Sequence, residues 1–352
     1  MGRTGHSVSG ALLALAMAAT PALAEDISST DAAPSEAVAS ATSFDPAEHA
    51  GAGELFDELV EQGIPRAWLI DAFDHAHYRQ NVLDAMEGAA ERRLRWHEYR
   101  DIFMSDERVA EGAAFIDAHR DAFERAEATY GVPPEVIAAI IGVETYYGRF
   151  KGDHRVLDSL ATLAFYHPTR GAFFRGELAA FLEIAYQQQV APESVVGSYA
   201  GAMGYPQFIP TSYQAYAVDF DGDGRRDLWE NPVDAIGSVA NYFAEHRWQP
   251  GAPIYHDAEG SESARQALSF NQTRAPSVTA GEASEAGLVS LEPLAPERKV
   301  VPLALELADG QTRYGLGEYN FYVITRYNHS HLYAMAVVEL ANAIAKTLEG
   351  QG

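Results

Sequence analysis

The chain has 352 residues, 47% apolar and 21% charged, enough for one large domain or two to three smaller ones with a sizeable core. Twenty-five Lys and Arg against 50 Asp and Glu give a formal net charge of −25, which repels nucleic-acid phosphates and anionic lipid headgroups and argues against either as a partner. There is no cysteine, so disulfides, thiol chemistry and a lipid anchor on cysteine are excluded.

Arg3, the apolar stretch from Ala11 to Ala19 and the small-x-small site Ala22-Leu23-Ala24 predict a cleavable export signal over 1–24, with a mature chain from Glu25 in the periplasm. The apolar stretch is too short to span a bilayer comfortably, and no later segment approaches that length. Residues 25–53, rich in Ala, Ser, Asp and Glu, predict a disordered linker. From Glu54 the pattern turns helical, with Phe56, Leu59 and Val60 on one face and a restart at Pro65. Tyr130-Gly131-Val132-Pro133-Pro134 is a helix stop followed by a proline start. The next helix, from about Pro134 to Tyr147, is apolar all round through Val143 and therefore predicts an interior position. Residues 155–190 continue helical, and 191–213 predict loops and short turns. Residues 54–248 are thus expected to form a helical core, and 249–318 a small β-rich insert with a turn at Ala308-Asp309-Gly310-Gln311. Residues 319–327 read as extended and 331–348 as a final helix, so that 319–352 returns to the core. The fold class is α+β, mainly α.

Glu144 closes the apolar helix. Desolvation disfavours its charged form and raises its pKa, which suits a general acid working near neutral pH. The alternative is a structural ion pair with Arg149 or Arg155. The segment Ser198 to Pro210 contains Gly201, Ala202 and Gly204, which leave backbone open to a bulky ligand. Ser198 and Gln207 there offer uncharged hydrogen bonds suited to sugar hydroxyl and acetamido groups. Residues Asp219 to Glu230 fit D-x-D-x-D-G-x5-E, the calcium loop of an EF-hand. Asp219, Asp221 and Asp223 supply hard oxygens, Gly224 the sharp turn and Arg225 a carbonyl. The closing acid is either Glu230 or Asp234. Asn231-Pro232 reads as an N-cap and first helical residue, which puts Asp234 in the first turn of the exit helix and favours it, as part of a stretched loop over 219–234. A bound calcium would be structural, and no organic cofactor is expected. The stretch from Asn320 to Tyr333 is rich in aromatic and amide side chains, a combination common in sugar sites. There is no H-E-x-x-H and no G-x-S-x-G.

Together these segments resemble the membrane-bound lytic murein transglycosylase B family, over roughly Phe56 to Leu348. The resemblance rests on Ile140 to Thr145, Ser198 to Pro210, Tyr216 to Phe220, Pro232 to Phe243 and Thr325 to Ser330. It implies a lysozyme-like core with a helical subdomain and a small β subdomain, Glu144 as the sole catalytic carboxyl, and a substrate site lined by Ser198, Gln207, Tyr327, Asn328 and Tyr333, with Tyr99 and Tyr242 beside them. It also implies a calcium loop longer than usual, although Asn231 stands here as an extra residue before Pro232. The expected partner is the peptidoglycan glycan strand, cleaved between N-acetylmuramic acid and N-acetylglucosamine with 1,6-anhydro ends, by a monomer. A hydrolytic muramidase of the same fold and a non-catalytic peptidoglycan-binding protein are the competing readings.

Overall fold

The computed structural model describes residues 50–91 and 94–350. The export signal and most of the linker lie outside them. The linker's expected end at Gly53 is late: the first helix runs Ala50–Glu61, and Ala52 is already buried. Gly51 and Gly53 offset the helix preference of the two alanines, so the early start follows from packing, with Ala52 and Leu55 both fully buried. Among the described residues no helix is long and apolar enough to cross a membrane.

The chain divides into two compact units. The first is built from the described parts of Arg93–Tyr147 and Ile236–Gly352. Its centre is the helix Pro134–Thr145, packed against the last helix, His331–Glu349, and against Asp106–Ala118. The helix Pro134–Thr145 has nine buried residues, among them Ile137, Ile140 and Ile141, and only Pro134, Glu135 and Glu144 keep partial exposure. Each of these isoleucines contributes about 1.5–3 kcal/mol on burial. Its start is set by Pro134 in the first turn, after Gly131 ends the preceding helix in the left-handed conformation. The last helix starts where the Ser330 hydroxyl accepts the Tyr333 N–H at 3.3 Å.

The expected β insert is an antiparallel five-stranded sheet. Its strands are β3 (Tyr255–Gly260), β4 (Val278–Thr279), β5 (Leu288–Ser290), β6 (Lys299–Glu306) and β7 (Thr312–Gly317), in the order β4-β6-β7-β3-β5; β1 (His154–Arg155) and β2 (Val196–Gly197) form a separate antiparallel pair. The turn at 308–311 joins β6 to β7, with Glu306 opposite Thr312. Ala264, Ala283, Leu288, Val300 and Leu316 form the sheet's own small core. Glu339 of the last helix receives Arg313 from β7 and Arg100 at 2.6 Å, which ties sheet to helices.

Residues 319–327 are not extended but form a helix, Tyr319–Tyr327. Its aromatic and β-branched content favours a strand. Burial, however, follows a helical period: Asn320, Phe321, Val323, Ile324, Thr325 and Tyr327 point inward. The Asn320 amide fixes the first turn by binding the Gln249 and Ala252 carbonyls. Tertiary packing here overrides propensity.

The second unit is built from the described residues up to Glu91 and from Gly148–Ala235. The helices Val156–Tyr166 and Gly171–Gln188 pack together, beside the short pair β1 (His154–Arg155) and β2 (Val196–Gly197). Asp158, fully buried, accepts from Arg79 Nε at 2.9 Å and from the His77 N–H at 3.0 Å, with Arg155 at 3.4 Å. Arg155 is therefore committed to the interior of its own unit, and so is not the ion-pair partner considered for Glu144.

Candidate active site

Glu144 sits in the last turn of Pro134–Thr145. It is partly exposed, so a ligand can reach it, yet its carboxyl is surrounded by apolar and aromatic groups. Burial pushes its pKa from 4.5 up to about 7, against a smaller opposing pull from Tyr333. That pull is the Tyr333 hydroxyl, donating to Oε1 at 2.6 Å. Among the described residues no cation pairs with Glu144.

The surrounding tyrosines form a supported wall. Tyr333 and Tyr327 stack nearly parallel, 8° apart with centroids at 6.3 Å. Tyr242 packs on Tyr327 at 4.8 Å and on His246 at 4.1 Å, and its hydroxyl donates to the Arg326 carbonyl at 2.7 Å. Tyr242 is thus buried structure behind Tyr327, with its own hydroxyl engaged. Burial, and then the Glu144 charge, hold the Tyr99, Tyr327 and Tyr333 phenols far above their ordinary range, so they remain donors. Tyr99 stays partly exposed, and Asn328 is buried in extended backbone between the two final helices. Replacing Tyr333 by Phe should raise the pH at which Glu144 ionises, because the hydrogen bond it loses favours the carboxylate. Carboxyl 13C NMR of labelled Glu144 reads the shift.

Composition and motif gave no hint of the turn that aims Glu144. Tyr146 and Tyr147 both adopt left-handed backbone, with φ of 51° and 58°. Such residues are strained and must be held from outside. The Tyr147 hydroxyl donates to the Arg108 carbonyl at 2.9 Å, and the Arg108 guanidinium lies 4.5 Å over the Tyr146 ring. Gly112 and Gly142 make the slot for Tyr147: a Cβ would stand 2.4 Å from its hydroxyl at one and 2.7 Å from its ring at the other. A glycine inside an apolar helix is costly, but Gly142 alone does not disclose that it makes room for a tyrosine.

Ser198, Gln207 and the acidic loop belong to the second unit. The Ser198 hydroxyl oxygen accepts the Ala202 N–H at 3.0 Å and the Ala200 N–H at 3.2 Å, which fixes the glycine turn and leaves its hydrogen to donate. The Gln207 amide nitrogen donates to the Gly204 and Lys151 carbonyls, while no described group donates to its Oε1.

In the loop, Asp219, Asp221 and Asp223 each offer a carboxylate oxygen, and these lie within 4.8 Å of one another. No described basic side chain neutralises them, a donor set that fits a hard divalent cation. Asn231 caps the exit helix, its Oδ1 accepting the Val233 N–H at 2.9 Å, and Pro232 opens that helix. Asp234, fully buried, accepts the Phe220 N–H at 2.7 Å on Oδ1 and the Asp227 N–H at 2.8 Å on Oδ2. It therefore stands beneath the loop and holds its backbone, outside the group of three. Glu230 is 81% exposed and pairs with Lys151 at 3.2 Å.

Residues 47–342 match the family model for the transglycosylase SLT domain. The chain is 42% identical over 311 residues to membrane-bound lytic murein transglycosylase B of Escherichia coli (strain K12), covering 86% of this chain and 84% of that one. It is similar to the Escherichia coli lytic transglycosylase Slt35 solved in complex with calcium, with TM-score 0.80, 40% identity, and 89% and 98% of the two chains covered. It is also similar to SltB3 of Pseudomonas aeruginosa in complex with NAG-anhNAM-pentapeptide, with TM-score 0.73, 31% identity, and 83% and 78% covered. The mainly helical fold, the partly exposed carboxyl at position 144 and these matches place the chain in the family of lytic murein transglycosylases typified by membrane-bound lytic murein transglycosylase B.

Proposed function

We propose that the protein is a lytic transglycosylase that cleaves peptidoglycan strands between N-acetylmuramic acid and N-acetylglucosamine and leaves 1,6-anhydro ends, acting outside the cytoplasm. The observation that carries this reading is the Glu144 carboxyl, reachable, desolvated and unpaired with any cation among the described residues. Protonated Glu144 donates to the glycosidic oxygen as that bond breaks. The carboxylate left behind takes the hydrogen of the sugar's own C6 hydroxyl, whose oxygen bonds to C1. One proton enters and one leaves, no water is consumed, and a second protein carboxylate is unnecessary. The Tyr333 hydroxyl steadies Glu144 in both states.

In the second unit, the free face of Gln207 and the Ser198 hydroxyl are suited to sugar hydroxyl and acetamido groups. Asp219, Asp221, Asp223 and the Arg225 carbonyl would hold a calcium ion, which supplies charge neutralisation to the loop when bound. Asp234 retains a second lone pair on Oδ2 and is the proposed closing ligand. Mass spectrometry of the products from purified sacculi tests the reaction. Anhydro ends, one water lighter than hydrolysis products, are expected. Reducing ends alone would make the protein a muramidase.

A further inference from the structure

A second pocket, made only of residues in the unit that lacks Glu144, carries a surplus of hydrogen-bond donors that the glycan chemistry does not use. It encloses about 260 Å3 beside the acidic loop. Arg225 and Arg226 line it, and neither guanidinium has an ion pair or hydrogen bond among the described residues. One oxygen of each acid on the same wall is engaged elsewhere. Asp227 Oδ1 accepts the Trp229 and Glu230 N–H groups at 2.9 Å, and Glu230 pairs with Lys151. Trp229 lines the pocket, and its indole N–H is buried without an acceptor. Gln188 accepts the Arg226 N–H on Oε1 at 3.4 Å, and its amide nitrogen donates to nothing described. Four sets of donors thus line one cavity and outnumber the acceptors left on its wall, the second oxygens of Asp227 and Glu230.

A buried N–H without a partner is costly, and two unpaired guanidinium groups stand out in a chain of net charge −25. A planar guanidinium fork recognises a carboxylate by two parallel hydrogen bonds. The apolar part of the lining is Val190, Val195 and the 43% exposed Val196. We propose that this pocket binds the free carboxylate end of a short peptide with small apolar side chains, the carboxylate on the arginines and the side chains on the valines. It shares no residue with the Glu144 site, so this proposal and the reading of Glu144 as a transglycosylase acid fail separately.

The test is an NMR titration of the full chain, following the indole N–H resonances, with Trp229→Phe assigning the one that matters. Acetyl-alanyl-alanine should shift the Trp229 resonance saturably. Its C-terminal amide should bind about tenfold more weakly, because it offers no charged acceptor. Arg226→Gln should weaken the acid about tenfold and erase the difference between acid and amide, and Arg226→Lys should restore only part of it. Equal binding of acid and amide, or full affinity in Arg226→Gln, overturns the proposal. So does inorganic phosphate acting as strongly as the peptide, which would leave a simple anion site.

Discussion

Glu144→Gln should lower strand cleavage at least about 10³-fold, since one group serves as both acid and base, while glycan binding stays near wild type. Glutamine keeps the shape and still accepts from Tyr333, but has no proton to give. The same substitution should stabilise the protein, and the pH dependence follows from the sign of the shift. The folded-state value of about 7 lies above the ordinary 4.5. Protonation of Glu144 therefore contributes stability that is fully present below pH 4.5 and is lost as pH rises through 7. At about pH 8 the ionised, desolvated carboxylate costs roughly 3 kcal/mol, and Gln removes that cost. Melting curves should show the variant more stable than wild type at about pH 8 and equal to it near pH 4. Wild-type cleavage rates in the variant would remove Glu144 from the chemistry. Equal melting at both pH values would remove the desolvation argument.

Asp234→Ala should be the most damaging change outside that site. It leaves the Phe220 and Asp227 N–H groups without their acceptor beneath the loop, at a cost of about 3 kcal/mol or more. The melting temperature should fall by several degrees. Calcium at about 100 times its dissociation constant should raise wild-type stability by about 2.7 kcal/mol, and a chelator should reverse the gain. The increment should shrink in Asp234→Ala. Identical wild-type melting with calcium and with chelator would refute the metal loop.

Much of this site could be read along the chain because its key residues sit in locally dictated structure. An uninterrupted apolar run cannot face water, so the position of Glu144 at its end follows from Val136 to Val143. Asn231-Pro232 marks a helix start by capping geometry alone, and the structure opens the helix there. What stayed hidden depends on contacts across long sequence separations. Tyr333 lies 189 positions from Glu144, and no local pattern couples them; the aromatic content of 320–333 and the family resemblance point to Tyr333 but not to its bond with Glu144. The Tyr147 slot needs Gly112 and Gly142 on two different helices. The helix Tyr319–Tyr327 was masked by side chains that favour strands, until Asn320 was seen anchored to Gln249 and Ala252. The backbone bonds of Asp234 were invisible for the same reason, since a ligand-spacing motif does not reveal which backbone a carboxylate supports.

The proton on Glu144 is retained by exclusion of water rather than by a neighbouring negative charge, and that has a consequence for ionic strength. Mobile ions screen exposed charge pairs over about 10 Å at 0.1 M salt but reach a desolvated group poorly. The acid's working range should therefore hold steady from dilute buffer to brine, even as the strongly acidic exterior gathers its counterions.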